Sequence, residues 1–174
     1  MGKNCLNKLA SNITVGCTIP QVGVKDIYLM HAEDVGISYA SEGPVSGVTF
    51  AEGAKSYKIE GYKQNIQVTA SLKTTDASAR VDSSVTFKVP YSDSNRPFIN
   101  TLASGKFCVL VVFNDGDYTF TGDAAPLECS SVEFDSNANA KMATITLASP
   151  EGSAGNNARN IEIGARNTII SKSV

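Results

Sequence analysis

The chain has 174 residues, of which 42% are hydrophobic and only 18% charged, and it carries a net charge of −2. Its size suits a single domain, since domains cluster near roughly 100 to 150 residues and all-β ones run longer. With charge below the usual level of about 25%, Ser, Thr, Asn and Gly supply the polar surface, and a chain without basic excess lacks what binding to a phosphate backbone requires.

The N-terminus, MGKNCLNKLASNITVG, has no apolar core of the kind a secretory signal needs, about 7 to 15 residues long, and no run approaches the ~18 apolar residues of a membrane span. Synthesis in the cytoplasm and no membrane insertion are therefore expected. Leu6 stands where a myristoylation site wants Ser or Thr, and Cys5 has no preceding signal helix. Cys5, Cys17, Cys108 and Cys129 fit no zinc or redox spacing, so they are read as free thiols in a reduced compartment. Asn12-Ile13-Thr14 is a formal glycosylation sequon, which carries no weight without a signal segment.

In chain order, residues 1–20 are of mixed composition and read as an N-terminal arm, followed by a strand at about Asp26 to Met30 in which Ile27, Leu29 and Tyr28, Met30 divide between faces. Gly36 to Phe50 contains Gly36, Gly43-Pro44 and Gly47, and so reads as a loop with at most short strands. From Tyr57 the pattern becomes regular. After Tyr57, Ile59 and a break at Gly61, Ile66, Val68, Ala70 and Leu72 alternate with Gln67, Thr69, Ser71 and Lys73, the mark of a half-buried strand. A polar connection from Thr74 to Asp82 leads to a second alternation of Val81, Ser83, Val85, Phe87 and Val89, ended by Pro90. The two are expected to pair as an antiparallel hairpin with one apolar and one polar face.

Ser94 to Gly105 predicts the one short helix, at about 96–104. Asn95 or Ser94 would cap it, Pro97 suits its first turn, Phe98, Ile99 and Leu102 share a face, and Gly105 would supply a left-handed stop. Phe107 to Phe113 carries no charge and is expected as a buried central strand, turned at Asn114-Asp115-Gly116 into a shorter strand with Tyr118 and Phe120 inward. Strands follow at Cys129 to Phe134 and Met142 to Leu147, with turn-like residues between them at Ser136 to Ala140. The segment from about 150 to 174 is expected to be flexible, with Ile161, Ile163 and Ile169-Ile170 forming a final strand or tail. The class is mainly β: one domain over 1–174, a β-sandwich or partly closed barrel of antiparallel strands with long loops.

Reactive constellations are sparse. His31-Ala32-Glu33-Asp34 is the single place where a histidine stands near carboxylates, and one imidazole cannot supply the usual three protein ligands of a catalytic zinc. It reads as a solvated strand end, and no Gly-x-Ser-x-Gly elbow accompanies it. Asp115, Asp117 and Asp123 lack the order of a calcium loop, leaving a turn. No P-loop or dinucleotide fingerprint is present. Lys55, Lys58 and Lys63 with Tyr57 and Tyr62 make a small basic and aromatic cluster that Glu52 and Glu60 offset. No catalytic residue, metal ligand or cofactor is expected.

The arrangement of arm, long amphipathic hairpin, short helix and buried strand resembles the tail tube (major tail) proteins of long-tailed bacteriophages. SDSNRPFINTLASGKFCVLVVFNDGDYTF carries the resemblance, and LECSSVEFDSNANAKMATITLASPEG is similar to the strand pair that follows in such proteins. The resemblance implies a β-sandwich subunit that assembles in the host cytoplasm into hexameric rings. Stacked rings form a tube in the virion tail, partnered by other tail proteins, with genomic DNA passing through without specific binding. On this reading Lys63, Gln67, Thr69, Ser71, Lys73, Ser84, Thr86 and Lys88 line the lumen or meet a neighbouring subunit, although their lysines leave the sign of the lumen charge open. Residues 1–105 hold ten Lys and Arg against nine Asp and Glu, and 106–174 five against eight. A mildly acidic lumen would keep DNA from sticking. The alternatives are another β-sandwich virion component, such as a tail-completion, neck or head-decoration protein, or a carbohydrate-binding or adhesive module.

Overall fold

The computed structural model describes residues 23–41, 43–61, 65–75, 78–134, 141–150 and 158–174. The arm at 1–20, Lys63, the turn at 136–140 and the loop residues 151–157 lie outside them. In chain order the strands are β1 (Val24–His31), β2 (Val35–Tyr39), β3 (Val45–Phe50), β4 (Tyr57–Glu60), β5 (Gln67–Thr75) and β6 (Ser78–Pro90). Helix α1 (Arg96–Ser104) precedes β7 (Lys106–Phe113), β8 (Tyr118–Thr121), β9 (Leu127–Phe134) and β10 (Met142–Ala148), and helix α2 (Ile163–Ser171) follows.

Every pairing between the described strands is antiparallel. The main sheet runs β4-β1-β7-β9-β10-β6-β5, with β8 hydrogen-bonded to β7 beyond the point where β9 leaves it, and β2–β3 form a separate ribbon. The sheet curls without closing, in keeping with the expected β-sandwich class. Ile27, Leu29, Val109 and Val111 from one half meet Val85, Phe87, Ile145 and Leu147 from the other, and α1 adds Ile99 and Leu102 to the same cluster. The opposite face of β1 and β7 builds a second cluster, in which Tyr28, Met30, Cys108, Leu110 and Val112 are covered by Val45 and Val48 of the ribbon and by Ala165 and Ile169 of α2.

This double cover explains the uncharged run. Six successive residues, Phe107 to Val112, are buried because odd positions face one cluster and even positions the other. Each such side chain stabilises the fold by about 1.5–3 kcal/mol through removal from water. The turn after β7 uses Gly116 at φ +91°, with Asp115 Oδ1 accepting the amide of Asp117 at 3.0 Å.

Several expectations are sharpened or corrected. The short strands allowed for Gly36 to Phe50 are present and pair as a ribbon, because Val35, Ile37, Val45 and Val48 have an apolar face to pack against. The hairpin ladder continues through most of the expected connection, to Thr75↔Ser78. Asn95 does not cap α1 through its side chain, whose Nδ2 instead donates to the carbonyl of Pro90 at 2.9 Å. Gly105 is extended (φ −91°, ψ 169°), and its glycine is needed because a Cβ would sit 2.4 Å from the Phe107 ring. The expected final strand or tail is the helix α2, anchored by Ala165 and Ile169 one turn apart on its buried side. The chain therefore has two α-helices among its described residues, where one was expected.

Candidate functional site

The long hairpin β5–β6 carries the residues that the sequence marks out. Its polar face is organised by register: Gln67 lies opposite Thr86, Thr69 opposite Ser84 and Ser71 opposite Asp82. β10 extends the rows, setting Thr144 beside Lys88 and Thr146 beside Thr86. Thr69 and Ser84 share a hydroxyl hydrogen bond of 2.6 Å, and Thr86 and Thr146 one of 3.1 Å. These hydroxyls satisfy one another across strands, giving a flat and wettable face without dense charge. Of the other marked residues, Lys73 is placed on β5 opposite Arg80, and Lys63 lies outside the described residues.

The apolar face changes character along its length. Ile66, Val85 and Phe87 are buried and Val68 is half-buried, but Ala70 is exposed and Leu72 is 67% exposed. The sequence reads Ile66 to Leu72 as one half-buried strand; in the fold its distal part leaves the core. Among the described residues β5 is also an end strand of the sheet, with β6 as its one partner. An apolar side chain beside a free strand edge is a surface suited to further pairing.

A second apolar patch lies at another corner of the same half-sheet. Val132 and Phe134 at the end of β9 are 39% and 45% exposed. Tyr91 stacks on Phe134 with ring centroids 4.2 Å apart, and the Arg96 guanidinium sits 5.3 Å from the Tyr91 centroid. Alternation along β9 does not reveal this exposure, because inward-facing positions become solvent-facing where the opposing half of the sheet ends.

The remaining constellations hold no reactive arrangement. His31 is half-buried, not a solvated strand end, and its ring lies 5.0 Å from that of Phe107 and 6.5 Å from that of Tyr57. Lys58 is neutralised by Glu60 at 3.0 Å and Asp26 at 3.7 Å, and the hydrogen bond to Glu60 raises its pKa. Asp123 is separated from the Asp115 turn and pairs instead with Arg159 at 2.6 Å. Among the described residues no cluster of His, Cys, Asp or Glu could hold a metal ion, and no helix is long and apolar enough to cross a membrane. The chain matches no family model, no curated protein and no solved structure.

One polar knot was not legible from spacing. Arg159 Nε donates to Asp123 Oδ2, Arg159 Nη1 donates to the carbonyl of Gly43 at 3.1 Å, and Tyr39 Oη donates to the same Asp123 oxygen at 3.2 Å. Burial, followed by the charge of Asp123, raises the Tyr39 pKa. The knot ties the ribbon, the end of β8 and the segment before α2 together, with backbone bonds between Phe120 and Arg159 at 2.7 and 2.8 Å.

Proposed function

We propose that this protein is a structural, non-enzymatic virion component resembling a phage tail tube subunit, which self-assembles into stacked rings around a channel that conducts DNA. The observation that carries this reading is the hairpin: one wall of hydroxyl side chains, an exposed distal apolar side chain at Leu72, and at β5 an edge with no strand partner among the described residues. The polar wall suits a wet channel, and the exposed apolar end suits contact with another copy. A ring needs two different, mutually fitting patches on each subunit. The hairpin end around Leu72 and the β9 end around Val132 and Phe134 offer two separate exposed apolar patches. The central strand makes no demand for a partner, since both its faces are covered within the chain.

The test is direct observation of assembly. Purified protein is expected to form rings or tubes in negative-stain electron microscopy and fast-sedimenting species in the ultracentrifuge. A protein that stays monomeric at high concentration would sink the proposal, and a single ring without stacking would favour a neck or tail-completion role.

A further inference from the structure

We infer that the pocket between the end of β1 and helix α1 binds a small aromatic alcohol, a single ring bearing a hydroxyl that hydrogen-bonds the His31 imidazole. The pocket has a volume of about 210 Å³ and shares no residue with the polar hairpin face. Its walls are largely apolar: Leu29 and Phe107 come from β1 and β7, and Pro97, Phe98 and Leu102 from α1. The helix contributes two pairs of residues one turn apart, Pro97 with Thr101 and Phe98 with Leu102, so one stretch of its surface forms a whole side. The Phe107 ring takes its place there because Gly105, where a Cβ would sit 2.4 Å from it, carries no side chain.

Size and lining limit the ligand. An engineered apolar cavity of about 150 Å³ takes up benzene, so a pocket of about 210 Å³ has room for one ring with small substituents. Four aromatic side chains, His31, Tyr57, Phe98 and Phe107, line it. His31 is tilted at 44° to Phe107 with ring centroids 5.0 Å apart, and stands edge-on to Tyr57 at 6.5 Å. Edge-to-face and offset contacts with such rings favour an aromatic guest over an aliphatic one, beyond the area that either buries.

Polarity then selects the substituent. Thr101 Oγ1 is committed to the Pro97 carbonyl, to which it donates at 2.9 Å. His31 makes ring contacts but no hydrogen bond among the described residues, and a neutral imidazole offers one nitrogen that donates and one that accepts. The imidazole is half-buried, so water competes for it less than for the hydroxyl of the exposed Tyr57. Among the described residues the walls hold no Lys, Arg, Asp or Glu, so a charged ligand would lose its hydration without gaining a counter-charge. A neutral hydroxyl fits such a wall. This inference does not depend on ring formation.

The experiment titrates the full chain with p-cresol and with toluene, which lacks only the hydroxyl, and follows backbone amides by heteronuclear NMR. The amides of His31, Thr101, Leu102 and Phe107 are expected to shift saturably with p-cresol, with a Kd of about 1 mM or below, as suits a ligand of so few atoms. Toluene should bind at least ~5-fold more weakly, the effect of one hydrogen bond. In His31→Phe that preference should vanish while toluene still binds, and in Tyr57→Phe it should remain. Thr101→Phe, at an exposed helix position, should fill the pocket and abolish the shifts while the spectrum stays dispersed. No saturable shift up to ~5 mM p-cresol in the parent chain, equal binding of toluene, a preference that survives His31→Phe, or shifts that persist in a folded Thr101→Phe would each overturn the assignment. A tyrosine side chain of another copy carries the same ring. Binding of p-cresol that weakens as the protein is concentrated would make that side chain the occupant and overturn the assignment to a free molecule.

Discussion

The Asp123 side chain is fully buried and its charge is met by one guanidinium, so the fold depends on Arg159 more than on the protein's surface ion pairs. Arg159→Ala should destabilise by about 3 kcal/mol, the low end for breaking a buried pair, because Arg159 is itself 24% exposed. Urea denaturation of the variant checks this, and a loss within ~0.5 kcal/mol, as for an ordinary surface site, would count against the knot. Cys108 gives a pH signature. Burial pushes its thiol from 9.0 up to about 12, so the folded chain holds a proton that the unfolded chain releases. That contribution is complete below pH 9 and is lost as pH rises from 9 towards 12. Cys108→Ala should flatten the alkaline fall in stability, measured as denaturation midpoints across that range. Within the first core, Phe87 is fully buried, and Phe87→Ala should cost about 3–5 kcal/mol. These residues differ in legibility. Alternation alone marks Phe87 as inward, whereas nothing in the spacing of Asp123 and Arg159 announces their contact.

At the level of elements, the hairpin and α1 follow from local pattern, and their reading from sequence holds except at their ends. Gly105 shows why ends are harder: the position rejects a side chain because Phe107 folds back over it, a contact between neighbours that no capping rule contains. α2 was hidden by composition, since its β-branched isoleucines favour strands and its buried contribution is limited to Ala165 and Ile169. Tertiary packing overrides that preference, because a helix lets these two residues reach the second cluster together while Ser56 Oγ donates to the Ile169 carbonyl at 2.7 Å. Ile169→Ala is therefore expected to lower stability by about 2–5 kcal/mol. Ile163→Ala, at a 65% exposed position of the same helix, should change it by less than ~0.5 kcal/mol. Equal effects would show that the helix does not close the core.

For the whole molecule, β4 and β5 are the two end strands of the main sheet among the described residues, and a chain that keeps such edges must cover or use them. On the proposed function the β5 end is used between copies. Leu72→Asp should leave monomer stability within ~0.5 kcal/mol, because the side chain is already 67% exposed, while abolishing rings and tubes in sedimentation and electron microscopy. Unchanged assembly would remove the hairpin end from the interface.

Sequence by itself determined the mainly antiparallel β class, the hairpin with its two unlike faces, the short helix and the central position of Phe107 to Phe113, because each rests on periodicity and turn residues close together in the chain. The tertiary structure decided what covers the second face of that strand, that residues 163–171 are helical, that Asp123 meets Arg159, and where the apolar row of β5 runs out of core at Leu72. Alternation tells which way a side chain points, but burial depends on whether another part of the chain stands opposite, and that is settled by the curl of the sheet.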